Sequence, residues 1–331
     1  MTVLVSLIKK GIAYVLAAIF SFLSPVIGDI NTENKVKDEE TVRLNFAAVS
    51  DVHIENDLLR KGLFALGLED MKNSGASFDA LIMCGDNTNH GYRTEYKAIE
   101  ELFGEYTPAK QIFIATGNHD TWTREEAGDN YPEIFCEYAN KFSGLEIEKP
   151  YYSVKINGYS FIFLASEKDN TGAYFSPEQL NWLRAEMDKA SESGLPVFVI
   201  THWPFNGTHG LPYAFGYDKD ADPDDGGMGD QSDEVEAILK AYKNVFMLSG
   251  HVHNGLTNDL TDDICGFSTV ENDGSFHSVN LPSYNLAFTK GNIFNGMGFQ
   301  VEVYEKEVVF RARNFALGMF YPDYDFTFEL V

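Results

Sequence analysis

Cysteine is scarce in this 331-residue sequence, which contains three: Cys84, Cys136 and Cys265. They lack the spacing of a cysteine metal site and are too few for a disulfide framework. Cys84 ends an apolar run, so we expect it to be a buried thiol. One bridge between Cys136 and Cys265 remains open as an alternative. A cysteine-ligated metal site and a disulfide-dense scaffold are therefore excluded.

Basic residues are also few, with 25 Lys and Arg against 50 Asp and Glu, which gives a net charge of −25. Such a charge repels polyanions, so we expect no nonspecific binding to a nucleic-acid backbone. A small anionic substrate would need local positive charge, and a bound divalent cation is usually the largest charge in its site. Hydrophobic residues make up 44% of the chain, enough for one large core or two modest ones.

The N-terminus carries the one long apolar run, from Gly11 to Leu23, directly after two lysines. This order is typical of a secretory signal, and an uncleaved anchor running to Ile27 is the alternative. We expect residues 1–28 to be a signal peptide or membrane anchor, which would place the protein outside the cytoplasm, secreted or membrane-anchored. Residues 29–42 are polar and charged, and we expect them to form a tether with nothing to pack against.

Five short apolar runs predict buried strands, because they lack the polar alternation of a sheet exposed on one face. They are Leu44 to Val49, Ala80 to Cys84, Gln111 to Ala115, Pro196 to Ile200 and Val245 to Leu248. Polar residues follow each run in turn: Asp51 and His53, Asp86, Asn118 and His119, His202, and His251 and His253. Strands whose ends deliver polar side chains to one edge are how open α/β sheets build sites.

Further elements are predicted around these strands. A helix over Ser176 to Ala190 is indicated by Ser176 as N-cap and by Gln179, which would complete a capping box. Tyr159 to Ala165 reads as another strand. The C-terminal part is β-rich, with a hairpin formed by Phe299 to Tyr304 and Val308 to Asn314, and a closing strand over Tyr324 to Leu330.

The spacing within two of the polar clusters predicts a shared pocket. In Asp51-Val52-His53 and His251-Val252-His253 the polar residues are two apart, and in extended backbone such residues point the same way. A mixture of carboxylate and imidazole suits zinc, manganese or iron better than calcium. A glycine also precedes Asp86, Asn118 and His251, which would let the backbone turn tightly and a ligand approach.

Together these segments resemble the calcineurin-like metallophosphoesterase family. The motifs stand as Ser50-Asp51-Val52-His53, Gly85-Asp86-Asn87, Gly117-Asn118-His119-Asp120, Thr201-His202-Trp203 and Gly250-His251-Val252-His253. The resemblance covers Phe46 to Asn254 by motif, and the β-rich end is similar through Val331. It implies an α/β sandwich of two mixed β-sheets flanked by helices, with residues 43–331 forming one catalytic domain and the site at one sheet edge.

The resemblance also implies a role for each motif residue. Asp51, His53 and His253 would hold one metal ion; Asn118, His202 and His251 would hold the other; and Asp86 would bridge them. Two divalent or mixed-valence ions of manganese, iron or zinc are expected. Two metals about 3.5–4 Å apart clamp a phosphate and make hydroxide available at neutral pH for in-line attack at phosphorus. His119 would stabilise the transition state or protonate the leaving oxygen, and Asp120 would orient His119.

The implied function is a dinuclear metal-dependent hydrolase of phosphoric esters, with small phosphodiesters slightly favoured over monoesters. Asn89 stands where purple acid phosphatases of this family carry a tyrosine, so the pattern looks more like the bacterial branch that includes phosphodiesterases. A module that binds metal and a partner without hydrolysis is the alternative of another class. Every motif position is filled, which favours the enzyme.

Outside the motifs, His90 and His209 follow site segments and could contact substrate, although a solvated histidine is the more common case. The acidic segment Asp218 to Glu236 is expected to be a solvated loop, because its fit to a calcium loop is poor.

Overall fold

The computed structural model describes residues 29–124, 131–167, 172–215, 222, 226–258, 266–285 and 296–331. The predictions made for residues 1–28, for Cys265 and for residues 218–221 and 223–225 of the acidic segment lie outside these ranges. The acidic segment is not a loop throughout, because its end, from Ser232, belongs to a helix. Within the described ranges, no helix has both the length and the apolar character needed to cross a membrane.

Strands and helices alternate through the first two thirds of the chain, and strands dominate the last third. In chain order the elements are β1 (Leu44–Val49), α1 (Leu58–Lys72), β2 (Ala80–Met83), α2 (Arg93–Tyr106), β3 (Gln111–Ile114), α3 (Tyr131–Ser143), β4 (Tyr152–Ile156), β5 (Tyr159–Phe163), α4 (Pro177–Ser191), β6 (Val197–Ile200), α5 (Ser232–Lys240), β7 (Val245–Ser249), β8 (Val270–Asp273), β9 (Phe276–Asn280), β10 (Met297–Val303), β11 (Glu307–Asn314), β12 (Met319–Phe320) and β13 (Phe326–Glu329). The five strands predicted to precede the polar clusters are all present, as are the C-terminal hairpin β10–β11 and the closing strand β13.

These strands form two mixed sheets. One has the order β12-β11-β10-β1-β2-β3, with β13 also paired to β11, and the other has the order β4-β5-β6-β7-β9-β8. Strands β1, β2 and β3 are parallel to one another, as are β5, β6, β7 and β9. The carboxyl ends of parallel strands meet at one edge, so each sheet delivers its loops to a single edge.

The main core lies between the two sheets. Phe46 on β1 meets Phe161 on β5 and Phe198 on β6 edge to face, with ring centroids 5.2 and 5.1 Å apart. A second core on the outer face of the β4–β8 sheet packs Leu183 and Met187 of α4 against strands β5 to β7. The result is a sandwich with helices outside, and the predicted fold class is confirmed.

Helix α4 begins as predicted but is capped differently. The Ser176 hydroxyl accepts from the Gln179 N–H at 3.2 Å, whereas the Gln179 side chain binds the backbone of Ala165 rather than returning to Ser176. The Ser176 N–H donates instead to Glu167 at 2.6 Å. The predicted capping box is therefore half formed, and Glu167 accepts the hydrogen bond that would have completed it.

The prediction of a free tether over residues 29–42 is wrong. Asn31 exchanges both backbone hydrogen bonds with Phe320, at 3.0 and 2.7 Å. Val36 is buried in the main core, and the Lys37 N–H donates to Glu302 at 2.8 Å. The sequence did not reveal this packing, because the segment is held mostly by hydrogen bonds of its backbone to the β-rich part, and such bonds do not depend on apolar side chains.

A partly buried carboxyl group near this segment links stability to pH. Asp325, just before β13, accepts a hydrogen bond from the Ala312 N–H at 2.9 Å. Burial raises its pKa from the usual 3.8 to about 7, an effect opposed by that hydrogen bond and by Arg311 and Lys37 and supported by Glu302. The folded chain holds this proton more tightly than the unfolded chain, so the free energy of unfolding falls as pH rises from about 4 to about 7.

We expect Asp325→Asn to be more stable than the natural protein above pH 7 and equally stable near pH 4. The amide keeps the acceptor for Ala312 and removes the buried charge, for a gain on the order of 2 kcal/mol after allowance for partial exposure. Denaturant titrations at the two pH values, with chelator present throughout, measure this difference. A gain that is equal at both pH values would show that Asp325 does not titrate in this range.

Candidate metal centre

All seven residues predicted as metal ligands lie in loops that follow β1, β2, β3, β6 and β7. Asp51, His53, Asp86 and His253 form one group, and Asp86, His202 and His251 form a second, with the potential ligand atoms of each group within 4.8 Å of one another. Asp86 is common to both groups. Loops from both sheets thus place two candidate metal positions side by side around one shared carboxylate.

In the first group, ring nitrogens approach carboxylate oxygens. His253 Nε2 lies 3.1 Å from Asp51 Oδ1, and His53 Nε2 lies 3.5 Å from Asp86 Oδ2. The two imidazoles are neighbours, with Nε2 atoms 3.3 Å apart. Nitrogen and oxygen donors from three loops therefore converge on one small volume.

In the second group, His202 is oriented by the main chain. Its Nδ1 lies 2.9 Å from the carbonyl oxygen of Cys84, which can only accept, so Nδ1 carries the hydrogen and Nε2 faces the site. That Nε2 lies 3.2 Å from Asp86 Oδ2 and 3.2 Å from Asn118 Oδ1. Asn118, which resemblance placed among the ligands, is thus beside the second group.

The shared carboxylate fits a bridging ligand. Asp86 Oδ1 accepts the His119 N–H at 2.9 Å, whereas the fully buried Oδ2 faces two ring nitrogens, those of His202 at 3.2 Å and His53 at 3.5 Å. A buried carboxylate is costly without a compensating positive charge, and a cation supplies one. Two carboxylates, four imidazoles and one amide oxygen form a donor set suited to zinc, manganese or iron. The residues present therefore fit a pair of metal ions.

Burial and charge set the protonation of this cluster. Burial lowers the pKa of His53 and of His251 to about 3, so both imidazoles are neutral at pH 7, the form that binds metal. Burial acts to raise the pKa of Asp86, but the charge of His202 holds it well below its usual range. Although burial disfavours its charged form, His202 has a raised pKa because Asp86 lies beside it. The proton on His202 thus supplies a positive charge beside the Asp86 carboxylate, and a bound metal ion would supply that charge instead.

The prediction that both pairs present their side chains from extended backbone is wrong. Asp51, His53, His251 and His253 have φ angles of 55°, 46°, 70° and 56°, and Asp86 has 48°. Side chains two apart reach the same site because the backbone between them turns sharply. Positive φ is rare outside glycine and clusters at functional sites, where surrounding contacts hold it in place.

The glycines of the motifs are required for close approach, as predicted. A side chain at Gly117 would overlap Asp86 Oδ1, and one at Gly250 would overlap Ser50. At Gly85, with φ of 94°, an added Cβ would lie 2.6 Å from His202 Nδ1. Gly85 and Gly250 bring loops of the two sheets into direct contact, and Gly117 brings the β3 loop against the β2 loop of the same sheet.

His119 lies at the site, but Asp120 does not orient it. His119 Nδ1 is 2.7 Å from the carbonyl oxygen of Asn89, and its ring centroid is 4.5 Å from that of His53. The buried Asp120 carboxylate instead accepts from the backbone or side chains of Asn87, Thr88, Tyr96 and Gly117. It ties the Asp86 loop to the Asn118 loop, and the sequence-based role for Asp120 is corrected accordingly.

Three asparagines that sequence reasoning missed brace the strained loops. The side-chain amides of Asn87, Asn280 and Asn285 donate to the carbonyl oxygens of Ala115, Gly250 and Val52, with distances of 2.7 and 2.6 Å for the first two. Asn87 follows Asp86 in the motif, which is a weak signal. Asn280 and Asn285 carry no sequence signal, because their function depends on a register between distant strands.

The remaining histidines have structural surroundings. His209 is fully buried, with Nε2 2.9 Å from the Ser278 hydroxyl, so neither substrate contact nor solvation describes it. His90 is partly exposed and has its Nδ1 2.9 Å from Glu95. His277 packs on Phe246, with ring centroids 4.9 Å apart.

Fold and site together define the class: a sandwich of two mixed sheets with paired Asp, His and Asn clusters at one edge is a dimetal phosphoesterase architecture. The model of the calcineurin-like phosphoesterase family matches residues 44–255. The chain belongs to the calcineurin-like phosphoesterase family and is a metal-dependent phosphoester hydrolase. The predicted family is confirmed, while its assignment to a bacterial branch stays a prediction.

Two solved structures are similar to this chain in fold. A dimetal phosphatase from Danio rerio has a TM-score of 0.58 at 14% identity, covering 88% of this chain and all of that one. A purple acid phosphatase from yellow lupin also has a TM-score of 0.58, at 13% identity, covering 86% of this chain and 53% of that one. These likenesses show the fold.

Among curated proteins, the cyclic GMP-AMP phosphodiesterase SMPDL3A of Rattus norvegicus is 24% identical over a stretch that covers 44% of this chain. The bovine protein of the same name is also 24% identical, over 45% of this chain. The matched stretch spans 38% of the length of either relative.

Proposed function

We propose that this protein hydrolyses phosphodiesters of small organic molecules with two divalent metal ions, one held by Asp51, His53 and His253 and the other by Asn118, His202 and His251. The observation that carries the proposal is Asp86, a fully buried carboxylate common to both groups, whose Oδ2 faces the ring nitrogens of His202 and His53. A bridging carboxylate at this position accounts for both properties. Manganese, iron or zinc suits the mixed donors.

The metals would supply electrophilic stabilisation of phosphate charge and a water molecule with a lowered pKa. The protein itself orients the residue that would transfer the proton. Asn89 accepts the hydrogen on His119 Nδ1, so Nε2 is the His119 nitrogen that can exchange a proton with the leaving oxygen. A single histidine acid matches a reaction in which one ester oxygen departs.

Two considerations support a diester over a monoester. The curated relatives are named as phosphodiesterases, although the similarity spans only part of their length. The formal net charge of −25 also disfavours a dianionic monoester more than a monoanionic diester, because long-range repulsion scales with ligand charge.

The full-length chain, reconstituted with manganese, zinc or iron, is expected to hydrolyse bis(4-nitrophenyl) phosphate faster than 4-nitrophenyl phosphate. Addition of a chelator should remove both activities, and readdition of metal should restore them. The measurement is release of nitrophenolate at matched protein and metal concentrations, with bound metal quantified by mass spectrometry.

Each result has a distinct meaning. Faster monoester hydrolysis would overturn the diester preference and leave the hydrolase class intact. Turnover that survives complete metal removal would contradict the metal-dependent mechanism. Two bound metals with no turnover of either ester, or of cyclic dinucleotides, would favour a module that binds without hydrolysis.

A further inference from the structure

We propose that Glu55 and Arg60 are positioning residues for His119 and act through Asn89. Neither belongs to the metal-binding groups, and both lie in the segment that joins β1 to α1 or in the first turn of α1. The inference rests on the proposed function, since it concerns the proton that His119 would deliver to a leaving group.

His119 is oriented by a hydrogen bond to the main chain of Asn89. His119 Nδ1 is 2.7 Å from the Asn89 carbonyl oxygen. A carbonyl oxygen accepts only, so this contact fixes the ring orientation and places the hydrogen on Nδ1. The geometry of His119 is therefore set by where the backbone of residue 89 is held.

Asn89 is held from the β1 loop. Its N–H donates to the Ile54 carbonyl at 3.1 Å, and its side-chain amide donates to Glu55 Oε1. The same amide lies 3.3 Å from His90 Nε2. Asn89 thus has one backbone and one side-chain attachment to consecutive residues, Ile54 and Glu55.

Arg60 closes the link to the metal-binding group. Its guanidinium Nη1 lies 3.4 Å from Glu55 Oε1 and donates to the carbonyl oxygen of His53 at 3.0 Å. One side chain thereby fixes both Glu55, which holds Asn89, and the backbone of His53, which has a φ of 46°. The side chains of Arg60 and Glu55 are only 25% and 32% exposed, so solvent screens this pair incompletely.

The chemical step explains why such a link matters. With His119 protonated at both ring nitrogens, water adds its oxygen to phosphorus, the phosphorus–ester oxygen bond breaks, and the departing oxygen takes the Nε2 proton, which leaves the neutral Nδ1–H imidazole. The attacking water releases one proton to solvent and Nε2 takes one back, so the cycle is balanced. Displacement of a catalytic group by about 1 Å can cost up to about 100-fold in rate, and proton donation matters most for leaving groups that are strongly basic.

The test compares leaving groups in the full-length, metal-loaded protein. For Glu55→Ala we expect kcat to fall about 10-fold with a phenyl ester and less than about threefold with the matching 4-nitrophenyl ester, which needs little protonation. Glu55→Gln keeps an acceptor for Asn89 and should restore the natural ratio of the two rates to within about twofold. Arg60→Ala should change that ratio in the same direction as Glu55→Ala.

The matched control is Glu234→Ala. Glu234 also pairs with an arginine, Arg184, at 2.6 Å, but on helices α5 and α4 and outside both metal-binding groups. It should leave both rates unchanged. Ring ¹⁵N shifts of His119, assigned by comparison with His119→Ala in metal-free protein, should show the Nδ1–H form in the natural protein and a mixture of tautomers in Glu55→Ala.

Equal losses on both esters, or an unchanged His119 tautomer in Glu55→Ala, would overturn the inference. That outcome is separate from failure of the proposed function, which would appear as absent or metal-independent turnover in the natural protein. The tautomer measurement decides the positioning role even in that case.

Discussion

Replacement of Asp86 by alanine is expected to reduce bound metal from about two ions per chain to one or none, and to lower kcat/KM by at least about 1,000-fold. Asp86 is the residue common to both ligand groups, so its loss weakens both positions at once. Removing any other ligand would weaken one group directly. Metal content by mass spectrometry after gel filtration, together with diester hydrolysis, measures both effects.

Asp188→Ala serves as the control, because Asp188 is an exposed carboxylate on α4 that contacts Tyr242 at 2.7 Å. It should bind metal and turn over substrate as the natural protein does. If Asp86→Ala kept a full complement of metal, Asp86 would not be the bridge. Circular dichroism would verify that the variant folds, since removal of a buried carboxylate leaves the two sheets and their core intact.

The second large effect is expected at His119. His119→Ala should retain both metals and lose about 100- to 10,000-fold in kcat, the range for a single general acid. Its side chain lies outside both ligand groups, while its backbone N–H contacts Asp86 and remains in the variant. The separation of metal binding from turnover distinguishes this variant from Asp86→Ala.

The loss at His119 should also depend on the leaving group. Because alanine removes the proton donor, the rate deficit should be larger for a phenyl ester than for a 4-nitrophenyl ester, whose oxygen departs readily without a proton. Unchanged turnover would show that His119 is dispensable. An equal deficit on both esters would assign it to transition-state charge stabilisation instead.

Much of the fold could be predicted because its central strands are short, apolar on both faces and bounded by polar residues. That pattern located β1 without error and the other four site-bearing strands to within about a residue. The same pattern placed the candidate ligands after the strands, and the structure brings Asp51, Asp86 and His202 together from loops 35 to 151 residues apart along the chain.

Contacts within the site could not be predicted, because they depend on backbone angles and on register. Positive φ at Asp51 and His53 has no signature in the sequence, so extended geometry was the natural expectation. The adjacency of His119 and Asp120 suggested an imidazole–carboxylate pair, whereas the Asp120 side chain points to Asn87 and Thr88. Neighbours in sequence were mistaken for partners in space.

The run of positive φ angles makes metal binding and folding thermodynamically linked. Five non-glycine residues at the site adopt a conformation that costs an L-amino acid on the order of 1 kcal/mol each. The unfolded chain rarely adopts all five conformations at once, so a cation that needs them binds only the folded chain. At free metal concentration [M] and dissociation constant Kd, such binding adds RT ln(1 + [M]/Kd) to the free energy of unfolding. The lifetime of the protein should therefore depend on the concentration of free metal. Without metal, these loops should unfold locally and be cleaved by proteases before the core unfolds.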